Sequence, residues 1–228
     1  MLYQADDPGE TGSPAKTNLK ISAALVAVFG LVVAGFFAFG RSGPDAAADS
    51  EAAAVMREDS HRLGEPGAGE VTLVEFLDFE CESCLAAYPI IEQLREDHAG
   101  QVTFVARYFP MPGHANAENA AVAVEAAAQQ GAFEAMYHRM YETQTQWGEQ
   151  QESKAALFRS FAEDLRLDMA AYDAAVADPA TLKRVLSDRD DGLALGVQGT
   201  PTFFLDGKKV EVNTTDQFIE LIDAALDE

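Results

Sequence analysis

The chain has only two cysteines in 228 residues, and both lie in one short segment, Cys81-Glu82-Ser83-Cys84. A scaffold stapled by several disulfides is thereby excluded. A structural zinc site needs four nitrogen or sulfur ligands, and His61, His98, His114 and His138 have no paired spacing near the motif. No metal is expected. Basic residues are scarce as well, 16 Lys and Arg against 38 Asp and Glu, for a formal charge of -22. Nucleic acids and anionic headgroups both select basic patches, so neither is an expected partner. The acids are spread along the chain rather than gathered in one block, the pattern of a solvated surface. A high-salt habitat predicts the same pattern. No phosphate loop is present, since Gly192, Gly196 and Gly199 lack a following Lys-Ser or Lys-Thr. The scattered serines and histidines compose no hydrolase triad.

Long apolar runs are also few. Ile21 to Phe39 is uncharged throughout, and at about 1.5 Å per residue it approaches the ~30 Å hydrocarbon core of a bilayer. Residues 21–40 are therefore expected to form a transmembrane anchor, a segment longer than the roughly 7–15 apolar residues of a cleaved signal. Cleavage near Ala46-Ala47-Ala48 is the alternative, and either reading directs export. Residues 1–20 are polar and broken by Pro8, Gly9, Gly12 and Pro14, as in a disordered tail. Residues 41–57, rich in Gly, Pro, Ala and acids, read as a flexible linker. Lys16 and Lys20 before the span give a slight positive-inside bias. The expected location is the cell membrane, single-pass, with the folded domain outside the cytoplasm. Gly30 and Ala34 form only a weak helix-pairing motif, and a monomer is expected.

The folded part, residues 58–228, alternates strand and helix. Val71 to Leu77 and Val102 to Phe109 read as strands, with a helix over Leu85–Leu94 between them. From His114 to Gly196 the pattern is helical, with Phe133, Met136, Tyr137 and Met140 as one core stripe and Leu157, Phe158, Phe161 and Leu165 as another. His114 itself reads as a helix-start residue. Thr202–Leu205 and Lys209–Val212 flank Asp206-Gly207, a hairpin signal, and Asp216–Leu226 closes as a helix. This is an α/β layout with a helical insertion over about 113–196. Asn213-Thr214-Thr215 is a sequon of the kind common by chance.

A C-x-x-C at a strand-to-helix junction places both sulfurs on one face of the first helical turn. The first meets unpaired N–H groups and the positive end of the helix dipole, which favour thiolate. A reversible redox pair needs that arrangement. Further along, Gly199-Thr200-Pro201-Thr202 puts a proline at a strand entrance, where an ordinary trans bond is the default.

Together, Phe76-Leu77-Asp78-Phe79-Glu80-Cys81-Glu82-Ser83-Cys84 and Gly196-Val197-Gln198-Gly199-Thr200-Pro201-Thr202-Phe203-Phe204 resemble the DsbA-like branch of the thioredoxin superfamily. The resemblance runs from about His61 to the C-terminus. It implies a thioredoxin-like fold with an inserted α-helical domain, and Pro201 in cis beside Cys81 and Cys84, where its ring denies metals access to the thiols. It also implies that Thr200 touches an extended substrate segment. Glu75 falls where the family carries a buried acid that relays a proton to or from Cys84; a solvent-facing acid is the alternative. The implied partners are exported proteins with free cysteines and a quinone-linked membrane protein of DsbB or VKOR type. No cofactor is needed, because the electrons reside in the two sulfurs.

The sequence departs from that family at Glu82 and Ser83, where proline or histidine is common. With Asp78 and Glu80 these residues add negative charge, which is expected to raise the Cys81 pKa and make the pair less oxidising. A reductase or isomerase kept reduced by a membrane donor, and a tethered binding module with a merely structural disulfide, are the alternative readings. A C-x-x-C loop is a poor staple, because small loops restrict the unfolded chain least.

Overall fold

The structure is a computed structural model that describes residues 53–69, 71–212 and 214–227. The expected tail, the anchor at 21–40, most of the linker and Asn213 lie outside the described residues. Among the described residues, no helix is long and apolar enough to cross a membrane.

Five strands form one mixed sheet. They are β1 (His61–Leu63), β2 (Thr72–Leu77), β3 (Thr103–Tyr108), β4 (Thr202–Leu205) and β5 (Lys208–Val210), in the spatial order β1-β3-β2-β4-β5. β2 and β3 are parallel and joined by α1 (Glu82–Asp97); every other pairing is antiparallel. Between β3 and β4 come α2 (Ala117–Ala128), α3 (Phe133–Thr143), a 3-10 turn (Gln144–Gln146), α4 (Ala155–Asp164), α5 (Met169–Ala177) and α6 (Pro179–Ala194). The last helix, α7 (Thr215–Leu226), follows the β4–β5 hairpin. Asp206 and Gly207 both take positive φ, 47° and 76°, the conformation a two-residue type I′ turn requires. The second strand of that hairpin is shorter than its sequence pattern, since Glu211 and Val212 leave the ladder.

Central strand β2 is covered on both faces, which is why it reads as a nearly continuous apolar run. Leu73 and Leu77 face the larger core with Ile91, Leu94, Val124, Met136 and Tyr137. Val74 and Phe76 face a smaller core with Val105, Phe109, Val197 and Phe204. Gly192 on α6 lets that helix approach: a Cβ there would meet Phe109 at 2.8 Å and Phe76 at 3.0 Å. α6 ends with Gly196 at φ 81° and a Val197 N–H to Gly192 carbonyl bond of 2.8 Å, a left-handed helix stop.

The linker expected to run to residue 57 ends earlier. Arg107, fully buried on β3, donates Nη1 to the carbonyls of Ala54 (2.8 Å) and Val55 (3.0 Å). Its Nε and Nη2 reach Asp188 (2.7 Å) and Asp191 (2.6 Å) on α6, and Arg57 also pairs with Asp191. The alternating strand pattern concealed this residue, because a buried cation needs partners that lie 81 and 84 positions away. Replacing Arg107 by Met removes the fully buried cation that Asp188 and Asp191 share and leaves them only Arg184 and Arg57 as ionic partners. Urea unfolding is expected to show a loss of roughly 3–5 kcal/mol.

Candidate active site

The chain turns from β2 into α1 through residues 78–81, and that turn is held by the helical insertion. Cys81 is the N-cap residue of α1, extended at φ −72° and ψ 123°; its N–H donates to the Asp78 carbonyl (3.1 Å), and its own carbonyl accepts from Leu85 (3.0 Å). Gln144 Nε2 donates to the carbonyls of Phe79 (2.7 Å) and Cys81 (3.0 Å). The Glu80 carboxylate accepts from the N–H groups of Asn116 (2.6 Å) and Glu149 (3.0 Å). Asp78 accepts from the N–H groups of Glu80 (2.8 Å) and Met111 (2.9 Å), and Oδ2 lies 2.7 Å from His114 Nδ1.

Asp78 and Glu80, each 2 % exposed, therefore do not act as the free anions expected beside the thiolate. Their charges are met by backbone donors of the insertion and the loop leading into it. His114 is not a helix-start residue either, since it precedes α2 in a loop and pairs with Asp78. Gln144 and Asn116 gave no signal in the sequence, because their partners lie in the redox turn and in the loop after Gln146.

Both cysteines are free thiols, and their environments differ. Cys81 is 9 % exposed and Cys84 1 %. The Cys81 pKa is lowered from 9.0 to about 5, chiefly by a hydrogen bond from the Cys84 thiol, against the effect of burial. The Thr200 hydroxyl and the N–H groups of Cys84 and Ser83 act in the same lowering direction, as a helix N-terminus does for a thiolate. Burial pushes the Cys84 thiol well above its ordinary value; the bond to Cys81 and the charge of Glu75 add to this. The dithiol is thus divided into an acidic outer sulfur and an inner one that holds its proton more tightly.

The Thr200–Pro201 bond is cis, and the Thr200 carbonyl lies 3.3 Å from Cys81 Sγ, where it accepts from the sulfur in its thiol form. Thr202 Oγ1 bonds the Gly199 carbonyl (2.7 Å) and closes that loop. Glu75, in register between Ala106 and Phe203, is 5 % exposed. Burial raises its pKa from 4.5 to about 8, and the Cys81 charge adds to the rise. The structure thus brings Cys81, Cys84, Glu75, Thr200 and Pro201 into one site. No cluster of metal-ligating residues occurs among the described residues.

A dithiol of this asymmetry on a thioredoxin-type sheet defines a thiol–disulfide oxidoreductase. The thioredoxin family pattern fits residues 56–224, and the chain belongs to that family. A thioredoxin-like oxidoreductase from Silicibacter pomeroyi is 25% identical, with a TM-score of 0.64 over 77% of this chain and 97% of that one. The alpha-DsbA1 of Wolbachia pipientis has the same fold at 17% identity, TM-score 0.64, over 75% and 93% of the two chains. A Na(+)/H(+) antiporter, NhaA 3 of Salinispora tropica, is 36% identical over 152 residues, 66% of this chain. The chain spans only 22% of that antiporter's length, so the likeness is to a domain-sized part of it.

Two titrations follow. Thiolate absorbance of the reduced protein is expected to rise with a midpoint near pH 5, and Cys84→Ala, which removes the largest lowering cause, to move it up. For Glu75 the folded pKa lies above the unfolded one, so stability is fully present below pH 4.5 and is lost as pH rises through 8. Glu75→Gln is expected to match the parent near pH 4.5 and to exceed it by roughly 3–5 kcal/mol above pH 8 in urea unfolding.

Proposed function

We propose that this protein is a membrane-anchored, extracytoplasmic thiol:disulfide oxidoreductase that forms disulfides in exported proteins through Cys81 and Cys84. The observation that carries the reading is the split between the sulfurs, one with its pKa lowered to about 5 and one raised by burial. A stable outer thiolate favours the reduced enzyme and so makes its disulfide a donor. The uncharged run at 21–39 supports anchoring, and an oxidising compartment is where such a donor is useful.

In the donor direction a substrate thiolate attacks Cys81 Sγ, the Cys81–Cys84 bond breaks, and Cys84 leaves and takes up a proton. Glu75 is the acid placed to supply it. A second substrate thiolate then attacks the substrate sulfur of the mixed disulfide, and Cys81 departs as the thiolate. The substrate loses two electrons and the enzyme gains them. Thr200, whose carbonyl lies against Cys81, is placed to pair with an extended substrate backbone. A groove of about 280 Å³ lined by Ala86, Ile90, Pro201, Phe203 and Phe218 fits an apolar side chain next to the reacting cysteine. Reoxidation falls to a quinone-linked membrane protein of DsbB or VKOR type.

Equilibration with glutathione tests this. The expected potential lies between about −230 and −120 mV, above thioredoxin and below the strongest donors, together with disulfide formation in a reduced, unfolded substrate. A value near thioredoxin's ~−270 mV would point instead to a reductase fed from the membrane. Failure to equilibrate would mean a structural disulfide.

A further inference from the structure

His114 faces the redox turn from the loop between β3 and α2, and the hydrogen bonds there connect its ring to the reactive cysteine. That loop contains a tight turn, closed by the His114 N–H to the Met111 carbonyl (3.0 Å). Both ends of the turn grip one carboxylate oxygen. Asp78 Oδ2 accepts from the Met111 N–H (2.9 Å) and lies 2.7 Å from His114 Nδ1. Asp78 Oδ1 accepts from the Glu80 N–H (2.8 Å), and the Asp78 carbonyl accepts from the N–H of Cys81 (3.1 Å), the N-cap of α1. The ring thus holds the residue that in turn holds the backbone of Cys81.

The Asp78 side chain is 0 % exposed, whereas that of His114 is 33 % exposed and open to solvent protons. A buried carboxylate is costly without a counter-charge, and the ion pair made by Asp78 is with His114. The Glu80 carboxylate is held by backbone N–H groups, which carry no net charge. Asp78, Glu80 and Cys81 place three acidic groups within one turn, and the imidazole, once protonated, is a cation set against them. Burial lowers the His114 pKa, but the bond and charge of Asp78, with the charges of Cys81 and Glu80, raise it above its ordinary value. From the insertion, Glu149 and Glu152 approach through backbone groups bound to Glu80 and Asn116.

We propose that His114 is a positioning residue of the redox turn, whose protonated ring offsets the buried Asp78 carboxylate and so couples a thiolate at Cys81 to solvent pH. With the ring protonated, the Asp78–His114 pair is neutral and the turn tolerates a thiolate. With the ring neutral, the bond to Asp78 survives, but the pair carries a negative charge in the same turn as Cys81. Such coupling is reciprocal. Closing the Cys81–Cys84 disulfide removes the thiolate, and the ring then releases its proton to water more readily. Mild acidity therefore favours the reduced enzyme and strengthens its disulfide as a donor, an inference that rests on the oxidoreductase reading.

The test has two arms, both on the full chain in detergent. In the first, isotope-labelled histidine rings are titrated by NMR with the dithiol reduced and again after chemical oxidation, and His114→Gln identifies the resonance. The His114 midpoint is expected above 6.5 in the reduced protein and lower by about half a unit after oxidation. Equal midpoints in the two states overturn the proposal. In the second arm, parent and His114→Gln are equilibrated with glutathione buffers; Gln keeps a donor for Asp78 and loses the charge. At about pH 6 the equilibrium is expected to favour the reduced parent over the reduced variant roughly threefold, and near pH 8.5 the two should agree. An offset of the same size at both pH values marks a structural role and overturns the proposal, as does no offset at either. If the parent fails to equilibrate with glutathione, the oxidoreductase reading fails, and the imidazole titration still decides whether His114 and Cys81 are coupled.

Discussion

The constraint on which the site depends is the burial of the turn at residues 78–81. A turn taken out of water has to find partners for its peptide groups and for two carboxylates. The core sheet cannot supply them, since its N–H and C=O groups are spent on the ladder. The helical insertion and the loop leading into it do so, through the N–H groups of Met111, Asn116 and Glu149, the Gln144 amide and the His114 ring. Asn116 is in turn fixed by the carbonyls of Gln150 and Glu152 and by the Lys154 N–H. The insertion is therefore a structural half of the redox site. Its packing against α1, through Tyr88, Tyr137 and Tyr141, sets how deeply the second cysteine is buried.

Once the turn is fixed, the two sulfurs diverge by position alone. Cys81 sits where helix N–H groups are unpaired and the Cys84 thiol donates to it, while Cys84, one turn further, is buried in the core. Desolvation acts on both thiols in the same direction, but at Cys81 hydrogen bonds outweigh it and at Cys84 they do not. The acids in the motif would have worked against this division had they remained free. Backbone donors hold Asp78 and Glu80 in place, and the hydrogen bonds made at Cys81 outweigh its burial, so the outer thiol is acidic with Glu82 and Ser83 in the motif.

Strand and helix periodicity made four of the five strands, α1, the hairpin turn and the terminal helix legible, since each is dictated by local spacing and by Asp206-Gly207, whereas the three-residue edge strand β1 is too short to show a pattern. The dithiol and Pro201 were legible as motifs. What local pattern could not convey were pairings between distant residues that become neighbours only in the fold. Arg107 reads as an ordinary polar residue in a strand until Asp188, Asp191 and the carbonyls of Ala54 and Val55 surround it. Asp78 and Glu80 read only as added negative charge near Cys81 for the same reason. Tyr137 reads as core, and its ring is core; only the hydroxyl is out of place, a distinction that periodicity does not make.

Glu75 ties redox state to protonation. With the thiols reduced, the Cys81 charge raises the Glu75 pKa beyond what burial alone does, and the Glu75 charge raises Cys84 in return. Three acidic groups in one low-dielectric core cannot all ionise together. The reduced site settles with the charge on Cys81, where donors are available. Closing the disulfide removes that charge and with it one cause of the high Glu75 pKa, so oxidation lowers the proton affinity of the core as it removes electrons. The carboxyl is then easier to ionise in the oxidised enzyme, the state in which its proton is next needed by Cys84 as the leaving sulfur. In the relay proposed for Glu75, oxidation hands it the Cys84 proton and disulfide donation returns that proton, so one proton can stay within the buried pair while two electrons come and go.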